Sequence, residues 1–369
     1  MRPLLRVTRR TTRRIAGGVL EGAVRAAAAF APGSLGKPEA PGSIFVLRNN
    51  DVGDLLVVTP LFDALRRRFP EARIAAGVGD WNRGVLRGNP HLSETLPVNA
   101  PGTLGRLAYL RSSPEVREIA ARRFEVGIDV LGSAWGSLLL LRAGIPYRLG
   151  VRGYAGGHSA TQEAVSFDPD EHVGRAALRF AELLGASDLP PVRPQIFLSR
   201  EEREAAERWW GAAGGSPRVV LAPGGGVAAR RWPVESFAAV AAGLPDASLL
   251  VLGGPGEEGL ATTIAAAAPA VRTFSEPLGL REVFALIATA GLVVSNSSMP
   301  MHAAAAFGKP VVVALGESFP SACQHQAQWG YPGLSHSLGK EPGERSSVYT
   351  PVETLKIIRD EISRLEPTP

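Results

Sequence analysis

A chain of 369 residues with 45% hydrophobic and 20% charged side chains has room for two domains and the balance of a soluble globular protein. Its single cysteine, Cys323, excludes an intrachain disulfide or a cysteine-built metal cage and fits a reducing compartment such as the cytoplasm. The net charge of +5 invites a nucleic-acid partner. However, residues 1–40 alone carry +6, which leaves a body of −1 and argues against nucleic acid.

In chain order, residues 1–14 hold six arginines and no acid, and residues 15–30 are Ala-rich and apolar apart from Glu21 and Arg25. That run is too short and too charged to span a bilayer. It reads as a basic helix resting on an anionic membrane surface, the alternative being a solvated tail. A Pro/Gly linker follows, so residues 1–42 form an extension.

The body opens with an apolar strand over 44–47, then Arg48-Asn49-Asn50-Asp51-Val52-Gly53-Asp54, a helix over 55–69 and a strand over 74–78. Strand-like and helix-like runs keep alternating, which predicts a doubly wound parallel sheet over 43–195. Asp54 falls just past a strand at a helix start, where a βα unit places its chemistry and where Asp also caps helices. Asp168-Pro169-Asp170 resembles a metal-binding Asp-x-Asp pair but precedes a helix, so capping is the better reading. With no His-Glu-x-x-His pattern and scattered histidines, no metal site or cofactor is expected.

After a proline-rich connector over 188–194, a second alternating series spans 196–345. Its strands fall over 219–222, 249–252, 292–295 and 311–315, each followed by a helix-like run. Three of its loops carry chemistry. Pro223-Gly224-Gly225-Gly226 through Arg230-Arg231-Trp232-Pro233 joins glycines to a helix start and two arginines, an arrangement suited to a diphosphate. Gly253-Gly254-Pro255-Gly256-Glu257-Glu258 puts acids at a helix start, where a carboxylate can take ribose hydroxyls. Ser295-Asn296-Ser297-Ser298-Met299-Pro300-Met301-His302 is a polar turn with hydroxyls for a sugar or phosphate. Neither a dinucleotide Gly fingerprint nor a Walker motif is present, which disfavours oxidoreductase and ATPase readings.

As an ordered series over about 43–320, these loops resemble glycosyltransferase family 9, the heptosyltransferase-like enzymes. The carrying motifs are Arg48…Gly53-Asp54…Thr59-Pro60, Ile128-Asp129…Gly132, Arg148-Leu149-Gly150, His172, Pro223-Gly224…Arg231-Trp232-Pro233, Gly253…Glu257 and Ser295-Asn296…His302. The resemblance implies a GT-B fold: two doubly wound, Rossmann-like domains facing across a cleft, acceptor on the first and nucleotide-sugar on the second. A last helix, within 346–369, would pack back on the first domain.

By that resemblance Asp54 matches the general base and Arg230 the phosphate-binding lysine. Gly224, Gly225 and Gly226 supply N–H groups, Glu257 matches the ribose-binding glutamate, and Leu278 an apolar position against the base. Ser297, Ser298 and His302 complete the donor side; Arg48, Asn50 and Gly53 form the acceptor side. The activity implied is metal-independent, inverting transfer of a sugar, heptose from ADP-heptose first, onto a lipopolysaccharide-type or other envelope glycan. Its place would be cytoplasmic, at the inner face of the membrane through residues 1–30.

Two departures fall on the donor side. Ser297 replaces the family's Asp and Met299 its Gly, while Gly316-Glu317-Ser318-Phe319-Pro320 replaces Gly-Pro-Thr-Asp-Pro. They define the alternative reading, a non-catalytic nucleotide- or glycan-binding protein of the same fold.

Overall fold

The structure, a computed structural model, describes Gly22 and residues 36–102, 105–210, 217–254, 256–274, 276–316, 319, 321–341 and 349–365. Apart from Gly22, the expected membrane-resting segment over 1–30 lies outside the described residues, as do Pro255, Glu317, Ser318 and Pro320.

The first sheet contains β1 (Ser43–Leu47), β2 (Arg73–Val78), β3 (Glu94–Pro97), β4 (Val126–Asp129), β5 (Tyr147–Arg152) and β6 (Glu163–Ser166). All neighbours are parallel, in the order β3-β2-β1-β4-β5-β6. β1 is buried along its whole length, as a central parallel strand covered on both faces must be. That is why its sequence is a continuous apolar run without alternation. The strand order reverses between β1 and β4, so a crevice opens outside their carboxyl ends.

The second sheet contains β7 (Arg218–Ala222), β8 (Ser248–Val251), β9 (Leu292–Ser295), β10 (Val311–Ala314) and β11 (Ser335–Leu338). It is also parallel, in the order β8-β7-β9-β10-β11, and reverses between β7 and β9. β11 escapes the pattern argument because it is a polar Ser-His-Ser-Leu edge strand. The helix expected over 55–69 is two helices, Val52–Val57 and Pro60–Arg68. Pro60 has no N–H to continue the first, and instead starts the second.

The two domains meet face to face. The Val52–Val57 helix packs on the Met299–Ala306 helix of the second domain. Gly53 permits this approach, since a Cβ there would lie 3.2 Å from the His302 ring. One hydrophobic cluster runs through both domains, joining Leu55 and Leu56 to Met301 and Ala303. Arg281 ties the seam further: it pairs with Glu202 at 2.6 Å and donates to the Gly84 carbonyl at 3.2 Å.

The last helix, Pro351–Ser363, corrects an expectation. It lies against the Val234–Ala242 helix of the second domain, not on the first domain. Leu355 packs over Gly243, Arg359 donates to the Gly243 carbonyl at 2.9 Å, and Glu361 pairs with His336 of β11 at 3.1 Å. Ile358 is fully buried in the second domain's own apolar cluster. An amphipathic helix shows in sequence that one face must be covered, but not by which surface.

Candidate active site

The crevice of the first domain lies between the loops after β1 and β4. Arg48 is buried there and acts as a tie between them. Its Nη1 donates to the Val130 carbonyl at 2.9 Å, its Nε to the Asp54 carbonyl at 3.2 Å, and Nη2 lies 3.5 Å from the Asp54 carboxylate. The Asn50 side-chain amide donates to the other Asp54 oxygen, while the Asn50 backbone carbonyl accepts from Trp81 Nε1 at 2.8 Å and Asn82 Nδ2 at 2.9 Å. Asp54 is not the helix cap. Asp51 holds that position, without a side-chain cap bond, and Asp54 sits in the first turn.

Burial raises the Asp54 pKa and the nearby Asp51 adds to this, whereas Arg48, Arg230 and the Asn50 hydrogen bond oppose it. The net shift is upward. Arg230 belongs to the opposite domain, so its field reaches Asp54 across the cleft. Arg48 also feels the charge of Asp129, which is fully buried at the end of β4. Burial pushes its pKa up to about 7 against the pull of the Leu131 and Ser133 N–H groups and Arg48. Gly136 leaves room for it, because a Cβ there would lie 2.5 Å from the carboxylate.

The crevice of the second domain lies between the loops after β7 and β9. Asn296, buried at the end of β9, buckles them together. Its Oδ1 accepts the Trp232 N–H at 2.7 Å, and its amide donates to the carbonyls of Pro223 at 2.6 Å and Gly224 at 3.1 Å. Glu257 clamps the glycine loop from the other side. It accepts from Gly225 N and Gly254 N, both at 2.9 Å, and from Arg231 at 3.1 Å. Gly224 is required by this clamp, since a Cβ would lie 2.0 Å from the Glu257 carboxylate.

The two arginines divide their work. Arg231 turns inward, donating to the Gly225 carbonyl at 2.8 Å. Arg230 is exposed, with its guanidinium over the Phe319 ring at 5.6 Å. Ser297 and Ser298 are half-buried between the glycine loop and the Gly53 turn, with Ser298 and Met299 near Gly225 and Gly53 respectively. Ser297 Oγ lies 2.7 Å from His325 Nε2.

Other expected site residues stand further back. His302 is buried in the domain interface and bonded to Tyr331 Oη at 2.6 Å. Burial, with His325 and His172 nearby, pushes it down to about 3, so it is neutral and serves packing. Leu278 is half-buried against the main core just before the Leu280–Thr289 helix. Asp168 accepts the Asp170 N–H at 2.9 Å, and the helix after it is capped by His172. Among the described residues no group of three or more His, Cys, Asp or Glu could hold a metal ion.

Sequence reasoning left out Asn296, Asp129, Trp81 and His325 as site residues, and it grouped Arg231 with Arg230 as a phosphate fork, whereas Arg231 turns inward to Gly225 and Glu257. Asn296 stands inside a motif already quoted, where a polar residue directly after an apolar strand was the available signal. His325 carried none, because its partners are distant in sequence.

A family model for glycosyltransferase family 9 (heptosyltransferase) matches residues 115–327. Lipopolysaccharide heptosyltransferase 2 of Escherichia coli strain K12 is 27% identical over 293 residues, covering 75% of this chain and 83% of that protein. Among solved structures, a family 9 glycosyl transferase from Veillonella parvula DSM 2008 superposes with a TM-score of 0.72 at 20% identity, covering 88% of this chain and 98% of the other. The E. coli ADP-heptose lps heptosyltransferase II gives 0.70 at 22%, covering 87% and 99%. With the family pattern extending over more than half of the chain and two doubly wound sheets opening their crevices onto one cleft, this protein belongs to glycosyltransferase family 9 and is a glycosyltransferase of the GT-B fold.

Proposed function

We propose that this glycosyltransferase moves a heptose from ADP-heptose onto a lipopolysaccharide-type or other envelope glycan, with inversion and without a metal ion. The observation that carries the reading is the opposition of Asp54 and Arg230 from the two domains, each at the crevice of its own sheet. The names of the relatives above support heptose, ADP and lipopolysaccharide as first choices.

In this reading the acceptor hydroxyl loses its proton to Asp54 as its oxygen attacks the anomeric carbon. The bond from that carbon to the diphosphate breaks on the opposite face. An upward-shifted carboxylate is the better base near neutral pH. Negative charge grows on the leaving diphosphate, where Arg230 and the glycine-loop N–H groups stabilise it. Because the Gly225 N–H already serves Glu257, Arg230, Gly224 and Gly226 carry most of that role.

Glu257 keeps lone pairs for ribose hydroxyls beyond its clamp, and Leu278 gives the base an apolar side. Ser297 and Ser298 face the sugar, with His325 behind Ser297. Arg48, Asn50 and Gly53 shape the acceptor side. There Trp81 is 51% exposed and Tyr154 64% exposed, presenting rings on which the C–H faces of an acceptor sugar can pack. Residues 1–30 would hold the enzyme at the anionic inner face of the membrane. No described helix is long and apolar enough to cross one.

The test is a thermal-shift panel of ADP, UDP, GDP and dTDP, with a transfer assay on ADP-heptose. A nucleotide at about 100 times its Kd adds ~2.7 kcal/mol of stability. Stabilisation by ADP alone, retained in Asp54→Ala while transfer is lost, is the expected result. Absence of any nucleotide shift overturns the donor assignment.

A further inference from the structure

Ser297 stands where the family resemblance has a carboxylate, and a chain of side chains behind it determines where its proton goes. The far end is Gln326. The Ser337 N–H donates to Gln326 Oε1 at 3.1 Å and Gln326 Nε2 donates to Ser335 Oγ at 3.0 Å, which fixes the orientation of that amide. Gln326 Oε1 can only accept, so its 2.8 Å contact with Ser337 Oγ uses the Ser337 proton.

His325 Nδ1 lies 2.7 Å from that same Ser337 oxygen and must therefore donate to it. Burial and the charge of Arg230 hold His325 down at about 4, so the ring is neutral and carries one proton, on Nδ1. His325 Nε2 is then a bare acceptor, and its 2.7 Å contact with Ser297 Oγ takes the Ser297 proton. The Ser297 lone pairs are what remains for a ligand. Phe319 packs its ring against His325 at 5.1 Å and under Arg230, so one side chain sets both groups.

We propose that the Gln326–Ser337–His325 relay makes Ser297 an acceptor-only contact for a hydroxyl of the transferred sugar, a neutral substitute for a carboxylate. Ser297 is the contact; His325, Ser337 and Gln326 are positioning residues. The proposal rests on the donor-site reading above. It gives the altered loop a specific job: to select a sugar whose hydroxyl can donate at that point.

Two measurements on the full chain test it. Nitrogen-resolved NMR of the imidazoles at neutral pH should show His325 protonated on Nδ1 and bare on Nε2. The opposite tautomer, or a doubly protonated ring, overturns the relay. In calorimetry with ADP and ADP-heptose as probes, Ser297→Ala should lose about tenfold in affinity for ADP-heptose and stay within about twofold for ADP. Ser297→Asp should restore the sugar preference, and Ser337→Ala should reduce it without changing ADP binding. Equal losses for both probes would mean general damage and overturn the proposal. Should the wild type bind ADP-heptose no better than ADP, the choice of donor sugar fails and the tautomer alone decides the relay.

Discussion

The Arg48 guanidinium holds Asp54 from two directions, through the carbonyl at 3.2 Å and the carboxylate at 3.5 Å, while its remaining arm reaches Val130 on the neighbouring loop. Side chain and backbone of the proposed base are thus positioned by one buried cation. Replacing Arg48 with Gln leaves the Val130 carbonyl short of a donor in a buried place. The expected cost is about 1–3 kcal/mol, read from denaturant unfolding. It also removes the main influence that lowers the Asp54 pKa, so the acidic limb of kcat/KM should move to higher pH.

Asp54→Asn should lower transfer by about 10²–10⁴. Because the folded-state pKa of Asp54 is raised, the ionised form dominates only above it. The wild-type rate should therefore fall, as acid is added, at a higher pH than an unshifted Asp would give. The same shift means that the ionised group opposes folding at neutral pH, so the Asn variant should melt no lower than wild type at pH 7. A clearly lower melting temperature would contradict this electrostatic picture.

Asp129 predicts a second pH effect, on stability alone. Its folded pKa of about 7 lies above the ~3.9 of an unfolded Asp, so the native state binds the extra proton between these values. Stability should decline as pH rises through that window. Asp129→Asn should flatten this slope in unfolding experiments at pH 4 to 7; an unchanged slope would show that other groups cause it.

Arg230 is exposed and makes its ring contact with Phe319 only at the surface of the second crevice. Arg230→Ala should leave the melting temperature of the free enzyme nearly unchanged. It should lower kcat/KM by about 10²–10³ and remove most of the ADP thermal shift. Arg230→Lys should recover only part, since a point charge lacks the planar fork.

Asn296→Ala would strand the Trp232 N–H and shorten the supply of donors to Pro223 and Gly224, all at one buried buckle. A loss of about 1–3 kcal/mol is expected, together with weaker nucleotide binding. Asn296→Asp keeps the acceptor but loses both amide donors, and should recover little. Full nucleotide affinity in either variant would mean that the glycine loop holds its shape without Asn296.

The membrane proposal is separable. Full-length protein should sediment with anionic liposomes more than a chain starting at residue 41, and added salt should abolish the difference. Equal sedimentation of both would remove residues 1–30 from the membrane.

Much of the architecture was legible because it depends on residues adjacent in the chain. Apolar runs that lead into Asp54, into Gly224 to Gly226 and into Ser297 read directly as strands delivering loops, and parallel strands need crossover connections, most often helices. Those loops fall at the points where strand order reverses in the two sheets, which is why the polar motifs converge. The second domain's edge strand β11 was not legible, since its Ser-His-Ser-Leu carries no apolar pattern.

Only the tertiary structure decided what each polar group does. His302 and Glu257 stand in ordinary helix-start motifs, yet one is sealed under Gly53 and the other clamps a loop 32 residues away. The last helix chose Gly243 of the second domain over the first, and Ser297 found His325 28 residues downstream. Hydrophobic burial is non-directional, so a sequence specifies which residues must be covered but leaves their partners open. A hydrogen bond depends on distance and angle within tenths of an ångström, and those values exist only once the packed fold has brought distant segments together.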